Sequence, residues 1–237
     1  MSAHITGSSI AATPTSSHQR QTDLRQHYAR CERILKAGAF PVVIGGDHAI
    51  TYPVVRAYDE RLNVVHFDAH LDYFPFVHGV QWGNGNPIRN VAQLKICHHI
   101  IQVGIRSLPD AAIRRAGLAC EGNDIVTVPD FRRRGHAAIV DRLPKNEPVY
   151  VSIDIDVLDL PLVPGCSSSE LNGITYDELR QTLFAIAKSR EVIGFDLVEV
   201  NPQIDIPSHN TSLIAAQTIV EFLGRIVERR DTGSAIR

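Results

Sequence analysis

The stretch Leu62-Asn63-Val64-Val65-His66-Phe67-Asp68-Ala69-His70-Leu71-Asp72 decides the fold of this chain and locates its chemistry. Its first six residues form a largely apolar run, which predicts a buried β-strand. Asp68, His70 and Asp72 follow at alternating positions. Because side chains at i, i+2 and i+4 of an extended segment point to one side, these three groups are predicted to converge at the end of the strand.

Two further segments place similar groups after apolar runs. Asp154-Ile155-Asp156 follows Val149–Ile153, and Gly45-Gly46-Asp47-His48 follows Pro41–Ile44. Four carboxylates and two imidazoles form a poor cluster to bury alone, but the carboxylates balance the charge of two divalent cations. Oxygen and imidazole donors without thiolates favour manganese, or a borderline ion such as nickel, over structural zinc. The candidate metal ligands are His48, Asp68, His70, Asp72, Asp154 and Asp156.

Length and composition indicate a single soluble globular domain. The chain has 237 residues, of which 44% are apolar and 21% charged, and its net charge is -2. These values give no indication of nucleic-acid or membrane binding, and no apolar run approaches the roughly 20 residues of a membrane span. The widely spaced cysteines predict reduced thiols and a cytoplasmic protein. They are Cys31, Cys97, Cys120 and Cys166.

Short apolar runs alternate along the chain with helical patterns. The runs are continuously apolar, so both faces of the sheet should be covered, which predicts an α/β sandwich with a mostly parallel sheet. The predicted strands are Pro41–Ile44, Leu62–Phe67, Ile100–Val103, Ile125–Val128, Val149–Ile153 and Val192–Leu197. The predicted helices are Thr22–Lys36 and about 49–58, 109–116, 135–143, 175–188 and 210–229.

The domain is predicted to occupy residues 23–237, because residues 1–22 are rich in small polar residues and indicate a poorly ordered tail. In parallel α/β folds the functional site lies beyond the carboxyl ends of the strands. All six candidate ligands and Glu199 occupy such positions. An acidic residue there often caps a turn, and we interpret Asp47 in that way. His66, inside an apolar run, is interpreted as a core histidine.

Four motifs resemble those of the ureohydrolase family of arginases and agmatinases. They are Gly-Gly-Asp-His-Ala-Ile at 45–50, His-Phe-Asp-Ala-His-Leu-Asp at 66–72, Ser-Ile-Asp-Ile-Asp-Val-Leu-Asp at 152–159 and Asp-Leu-Val-Glu-Val-Asn-Pro at 196–202. Gln102-Val103-Gly104-Ile105-Arg106 makes the resemblance closer to agmatinases. The resemblance implies a three-layer α/β/α fold, two Mn²⁺ ions with Ni²⁺ or another divalent ion as alternatives, and a homo-oligomer, a trimer or hexamer.

The resemblance also implies roles for single residues. Asp68 and Asp154 would bridge the two ions, and Asp156 would help to transfer a proton to the departing amine. Glu199 would hold the substrate guanidinium through charge-assisted hydrogen bonds. One ion would take His48, Asp68, Asp72 and Asp154, and the other would take Asp68, His70, Asp154 and Asp156.

Three departures from the family pattern affect the expected substrate. Asn84 stands where the family has a proton-shuttling histidine, so Asn84 is a candidate substrate contact and His78 a candidate substitute catalytic residue. The segment 165–170 differs from the family's substrate loop. The stretch before the first motif is short, and we expect part of the family's N-terminal segment to be absent.

These observations lead to one main hypothesis and two alternatives. The main hypothesis is manganese-dependent hydrolysis of an agmatine-like guanidino compound to urea and an amine. The first alternative is hydrolysis of another amidine, such as formiminoglutamate or a substituted guanidine. The second is a weakly active or inactive metal-binding subunit that supports a partner chain.

Overall fold

The computed structural model describes residues 17–75, 81–107 and 122–234. These residues form one sheet of six strands in the order β1-β6-β5-β2-β3-β4. Every pair of neighbouring strands is parallel, which confirms the predicted parallel α/β sheet. The strands are β1 (Val42–Ile44), β2 (Leu62–Phe67), β3 (Cys97–Ile105), β4 (Asn123–Thr127), β5 (Val149–Asp154) and β6 (Val192–Val198).

Helices cover both faces of this sheet. Side chains of α1, α2 and α3 pack with one face, and side chains of α4 to α7 pack with the other, so the molecule has three layers. None of the helices among the described residues is long and apolar enough to cross a membrane. The helices are α1 (Ser17–Lys36), α2 (Thr51–Arg56), α3 (Pro87–Val91), α4 (Val128–Arg134), α5 (Ala137–Val140), α6 (Tyr176–Ser189) and α7 (Asn210–Ser234).

The central strands explain why the apolar runs are continuous. All six residues of β2 and all six of β5 are buried. Along β2, Val64 packs into the core on one face, whereas Val65 and Phe67 pack into the core on the other. A strand that contacts helices on both sides needs apolar residues at successive positions, as the sequence predicted.

Several element boundaries differ from the predictions. Helix α1 begins at Ser17, so residues 17–22 are helical and the predicted tail is wrong for them. The predicted strand Ile125–Val128 ends one residue early, because Thr127 caps α4 by accepting the backbone N–H of Asp130. Helices α3 and α4 were not predicted. The helix predicted at 109–116 and Cys120 lie outside the described residues, and Cys31, Cys97 and Cys166 form no disulfide.

Strand register brings the candidate ligands to one edge of the sheet. Phe67 pairs with Ile153, so Asp68 and Asp154 follow neighbouring strand ends. Asp154 in turn pairs with Val198, which directly precedes Glu199. Gly104 lets the backbone of β3 lie close to Asp68 and Val157. A Cβ atom at this position would lie 2.6 Å from Cγ2 of Val157 and 3.0 Å from the carbonyl oxygen of Asp68.

Candidate metal centre

One histidine and three carboxylates converge at the carboxyl edge of the sheet. Nδ1 of His48 lies 3.2 Å from Oδ2 of Asp68, 3.1 Å from Oδ2 of Asp72 and 3.2 Å from Oδ2 of Asp154. All four residues are buried. Nδ1 of His48 and the Oδ2 atoms of Asp68 and Asp72 have no hydrogen-bond partner. Buried polar atoms almost always have partners, so atoms that face one another without hydrogen bonds fit a bound cation.

A second set of donors adjoins the first. Nδ1 of His70 lies 3.2 Å from Oδ1 of Asp68 and 3.0 Å from Oδ2 of Asp156. Asp68 therefore faces His48 with one oxygen and His70 with the other. Asp154 and Asp156 also lie together, with ligand atoms within 4.8 Å of each other. The structure thus brings together all six predicted ligands, as two adjoining sets that share Asp68.

The backbone achieves this convergence differently from the predicted extended segments. Strand β2 ends at Phe67, the chain bends at Ala69 and His70, and Asp72 has a left-handed backbone with φ of 50°. Asp154 caps a 3₁₀ turn at Ile155–Val157, and its Oδ1 accepts the backbone N–H of Asp156 at 2.9 Å. The prediction of simple alternation is therefore wrong for both segments, because turns rather than extended backbone orient the side chains.

The loop after β1 places His48 through a cap. Asp47 precedes a 3₁₀ turn at His48–Ile50, and its Oδ1 accepts the backbone N–H of Ala49 at 3.0 Å. This confirms the interpretation of Asp47 as a cap. The turn directs the imidazole of His48 into the cluster while its backbone N–H points toward Glu199.

A buried hydrogen-bond network fixes the orientation of the His48 ring. Nε2 of His48 lies 2.9 Å from Oγ of Ser152, which donates to Oδ1 of Asp196 at 2.7 Å. Oδ2 of Asp196 accepts from Tyr150 at 2.7 Å and from Thr51 at 3.0 Å. Because the Ser152 hydroxyl gives its proton to Asp196, it accepts the Nε2 proton of His48. In the neutral ring, Nδ1 therefore has the lone pair and directs it into the cluster, as a metal ligand requires.

Burial and neighbouring charges shift the pKa values within the cluster. Burial raises the pKa of Asp154 well above its usual range, and the charges of Asp156 and Asp68 raise it further. Burial alone would lower the pKa of His70, but Asp156 and Asp68 raise it to about 11. The cluster therefore binds protons tightly without a cation, and cation binding must displace them. Ion affinity should fall as the pH is lowered.

Glu199 lies beside the cluster, directly after β6. Its Oε1 accepts the backbone N–H of His48 at 2.8 Å, and its own N–H donates to the carbonyl of Gly46 at 2.8 Å. It does not cap the following turn, where Oδ1 of Asn201 accepts the backbone N–H of Gln203. Burial raises the pKa of Glu199 to about 7. A cationic group bound next to this carboxylate would favour its charged form.

Of the two remaining predicted site residues, Asn84 is not in the cluster. Asn84 is exposed in the turn before α3, whereas the nearby Asn86 is buried and accepts the backbone N–H of Gly83 at 2.9 Å. His78 lies outside the described residues.

Three residues near the cluster were missed or misinterpreted from the sequence. His66 lies 2.9 Å from Asp68, measured from Nε2 to Oδ2, and is not merely a core histidine. Its position two residues before Asp68 was the available signal. Cys166 is buried beside Asp154 and Asp156, with no motif to indicate it. Asp196 was recognisable as a carboxylate inside an apolar run.

Comparisons with known proteins agree with this fold. The arginase family model matches residues 4–224, so the chain belongs to the arginase family, whose hydrolases act on guanidino and amidino C–N bonds. It is 34% identical to an agmatinase from Bacillus anthracis over 219 residues, covering 89% of this chain and 71% of that protein.

Other relatives differ in the reaction that their names describe. The chain is 33% identical over 193 residues to a formimidoylglutamase from Halalkalibacterium halodurans, covering 77% of this chain and 60% of that protein. Among solved structures, proclavaminate amidino hydrolase from Streptomyces clavuligerus superposes with a TM-score of 0.78 at 29% identity, covering 88% of this chain and 71% of that one. The chain therefore spans only part of the length of its relatives.

Proposed function

We propose that this protein hydrolyses a guanidino compound to urea and an amine with two bound Mn²⁺ ions. His48, Asp68, Asp72 and Asp154 would hold one ion, and Asp68, His70, Asp154 and Asp156 would hold the other. When bound, the ions lower the pKa of a water molecule, which supplies the nucleophile at neutral pH. The carboxylate and imidazole donors match the preferences of manganese and related borderline ions.

The observation that carries this proposal is the convergence of unpartnered buried donor atoms. Nδ1 of His48 and the Oδ2 atoms of Asp68 and Asp72 lie about as far apart as atoms that share a metal ion, and they form no hydrogen bonds with one another. Ser152 leaves Nδ1 of His48 as the ring's acceptor nitrogen. A cluster that served only stability would be expected to satisfy these atoms within the protein.

Glu199 and Asp156 would act on the substrate. The Glu199 carboxylate is held by His48 N–H through Oε1, which leaves Oε2 for the paired N–H donors of a guanidinium. Asp156 is held by the backbone N–H of Ala69 at 2.9 Å and by the hydroxyl of Ser168 at 3.2 Å. We propose that Asp156 transfers a proton to the departing amine nitrogen, as general acid–base groups near a cleaved bond do.

A second candidate function is hydrolysis of a formimidoyl group. Asn84 stands in place of the family's shuttle histidine, and the relatives include formimidoylglutamases. The same centre would attack the amidine carbon of an N-formimidoyl amine and release formamide instead of urea. Glu199 would then face a cationic formimidoyl group with fewer N–H donors.

Product analysis separates these functions. The purified chain, loaded with Mn²⁺ and in parallel with Ni²⁺, is incubated with agmatine, guanidino acids, arginine and formimidoylglutamate. Urea from a guanidino compound supports the main proposal, and formamide from formimidoylglutamate supports the second. If the metal-loaded chain releases neither product, the remaining hypothesis of a metal-binding subunit that supports a partner chain is favoured.

A further inference from the structure

His66 is a third imidazole beside the metal centre. It is fully buried within β2, two residues before Asp68, and its Nε2 lies 2.9 Å from Oδ2 of Asp68. Its ring centroid lies 4.9 Å from that of His48. Distance alone would therefore allow His66 to act as an additional metal ligand, together with His48, Asp68 and Asp72. Whether Nε2 of His66 can bind a metal ion or instead donates a hydrogen bond depends on which ring nitrogen carries the proton.

Gln102 determines which nitrogen of His66 carries the proton. Nε2 of Gln102 lies 2.6 Å from the carbonyl oxygen of Leu71, a contact that only the amide nitrogen can make favourably. The same amide nitrogen lies 3.2 Å from Nδ1 of His66. Oε1 of Gln102 accepts a proton from Nδ2 of Asn123 at 3.1 Å, which agrees with this orientation.

The consequence is a single tautomer of His66. Rotating the Gln102 amide by 180° would place two oxygens 2.6 Å apart at Leu71, so its nitrogen faces His66. Nδ1 of His66 must then accept a hydrogen bond, and the ring proton is on Nε2. A protonated ring nitrogen has no lone pair to offer a metal ion, so Nε2 is a donor that faces Asp68.

We infer that His66 is a positioning residue that holds Asp68 in place between the two metal ions. This inference depends on the metal centre of the proposed function, but not on the identity of the substrate. Nε2 of His66 and Oδ2 of Asp68 are close enough for a hydrogen bond, although neither has a well-aligned partner in this structure. The inference is that this pair forms the hydrogen bond when a cation is bound.

A hydrogen bond from His66 matters for metal binding because Asp68 is a ligand that both ions would share. Its two oxygens face His48 and His70, each at 3.2 Å, and would serve both ions. A donated hydrogen bond to a ligating carboxylate fixes its orientation and withdraws part of its charge. Loss of such outer partners typically weakens metal binding about 10- to 100-fold.

Two substitutions of His66 form a matched pair. His66→Gln keeps an N–H donor at a similar reach, whereas His66→Leu keeps much of the volume and removes the donor. We expect His66→Leu to weaken Mn²⁺ binding at least about tenfold and His66→Gln to retain most of the affinity. Free Mn²⁺ measured by electron paramagnetic resonance during titration gives both affinities. Parent-like Mn²⁺ affinity in His66→Leu would overturn the inference.

Nitrogen NMR tests the tautomer directly, even if His66→Leu does not fold. The full chain is labelled with ¹⁵N-histidine and loaded with diamagnetic Zn²⁺, and His66 signals are assigned by their absence from His66→Gln. We expect a protonated Nε2, and in Gln102→Met we expect this preference to weaken. An unprotonated Nε2 would show that His66 is a ligand and would overturn the inference. If the chain shows the expected His66 tautomer and the expected Mn²⁺ affinities but releases no urea, the proposed function is refuted and the inference about His66 stands.

Discussion

Asp68 lies among three imidazole rings, those of His48, His66 and His70, at distances between 2.9 and 3.2 Å. Burial alone would raise the pKa of Asp68, but together the histidines lower it well below its usual range. Asp154 and Asp156 show the opposite shift, because burial and neighbouring carboxylates raise their pKa values. Before an ion binds, Asp68 therefore keeps its negative charge to a lower pH than Asp154 and Asp156 do.

We predict that Asp154→Asn loses more metal than Asp156→Asn. Asp154 is assigned to both ions and Asp156 to one, and an asparagine at 154 still has an oxygen to accept the backbone N–H of Asp156. The fold should therefore survive, and elemental analysis of the two variants gives the metal stoichiometry. Equal losses in the two proteins would contradict the assigned bridging role of Asp154.

We predict that Glu199→Gln lowers kcat/KM at least about a hundredfold, which is about 2.7 kcal/mol of transition-state stabilisation. The amide oxygen can still accept the N–H of His48, so metal content and melting temperature should stay near those of the parent. Steady-state kinetics with metal analysis tests this. If the variant loses metal but keeps its efficiency per bound metal pair, Glu199 has a structural role and the substrate cation binds elsewhere.

At the scale of elements, the sequence predicted the central strands well and the turns poorly. The bounds of β2 match the prediction, because a strand covered on both faces is apolar at most of its positions. The short helix α4 was missed because Val128 continues an apolar run, whereas Thr127 and Pro129 begin a helix there. The ligands were predictable as residue types at strand ends. Their orientation depends on caps and on the left-handed backbone of Asp72, which alternation cannot reveal.

We predict that Gly104→Ala lowers the free energy of unfolding by about 2 kcal/mol or more, because strain at one backbone position costs about 1–3 kcal/mol and a steric overlap is added. Gly104 has φ of 96° and a Cβ would meet Val157 at 2.6 Å. Gly38→Ala is the matched control, since φ is 66° there and no atom lies within 4 Å of the added Cβ. Urea unfolding should show a clearly smaller loss of unfolding free energy for Gly38→Ala. Equal losses in the two variants would refute the role of the close contact between position 104 and Val157.

For the whole molecule, the metal centre connects elements that are distant in sequence. His48 follows β1, Asp68 follows β2 and Asp154 ends β5, so ions would join three strands at one edge of the sheet. The sequence predicted this shared edge because parallel strands end together. It did not reveal the buried network through Ser152 and Asp196, since partners across the sheet depend on the strand register.

We predict that chelation lowers the melting temperature and that Mn²⁺ restores it. An ion at 100 times its dissociation constant stabilises the native state by about 2.7 kcal/mol, which corresponds to a shift of about 5–10 °C for a chain of this size. Differential scanning calorimetry before and after chelation measures the shift. Mg²⁺ at the same concentration is the control, because it favours fully octahedral oxygen sites and should stabilise less. An unchanged melting curve on chelation would contradict the predicted link between metal binding and stability.

The central claim is that six residues at or just beyond the ends of three strands bind two divalent ions, and the most direct test is the number of Mn²⁺ ions bound per chain. Equilibrium dialysis followed by elemental analysis should give two ions for the parent and fewer than two for Asp68→Asn, which removes charge from the shared ligand. The claim would be contradicted by a parent that binds no Mn²⁺, or by an Asp68→Asn variant that binds two ions with parent-like affinity.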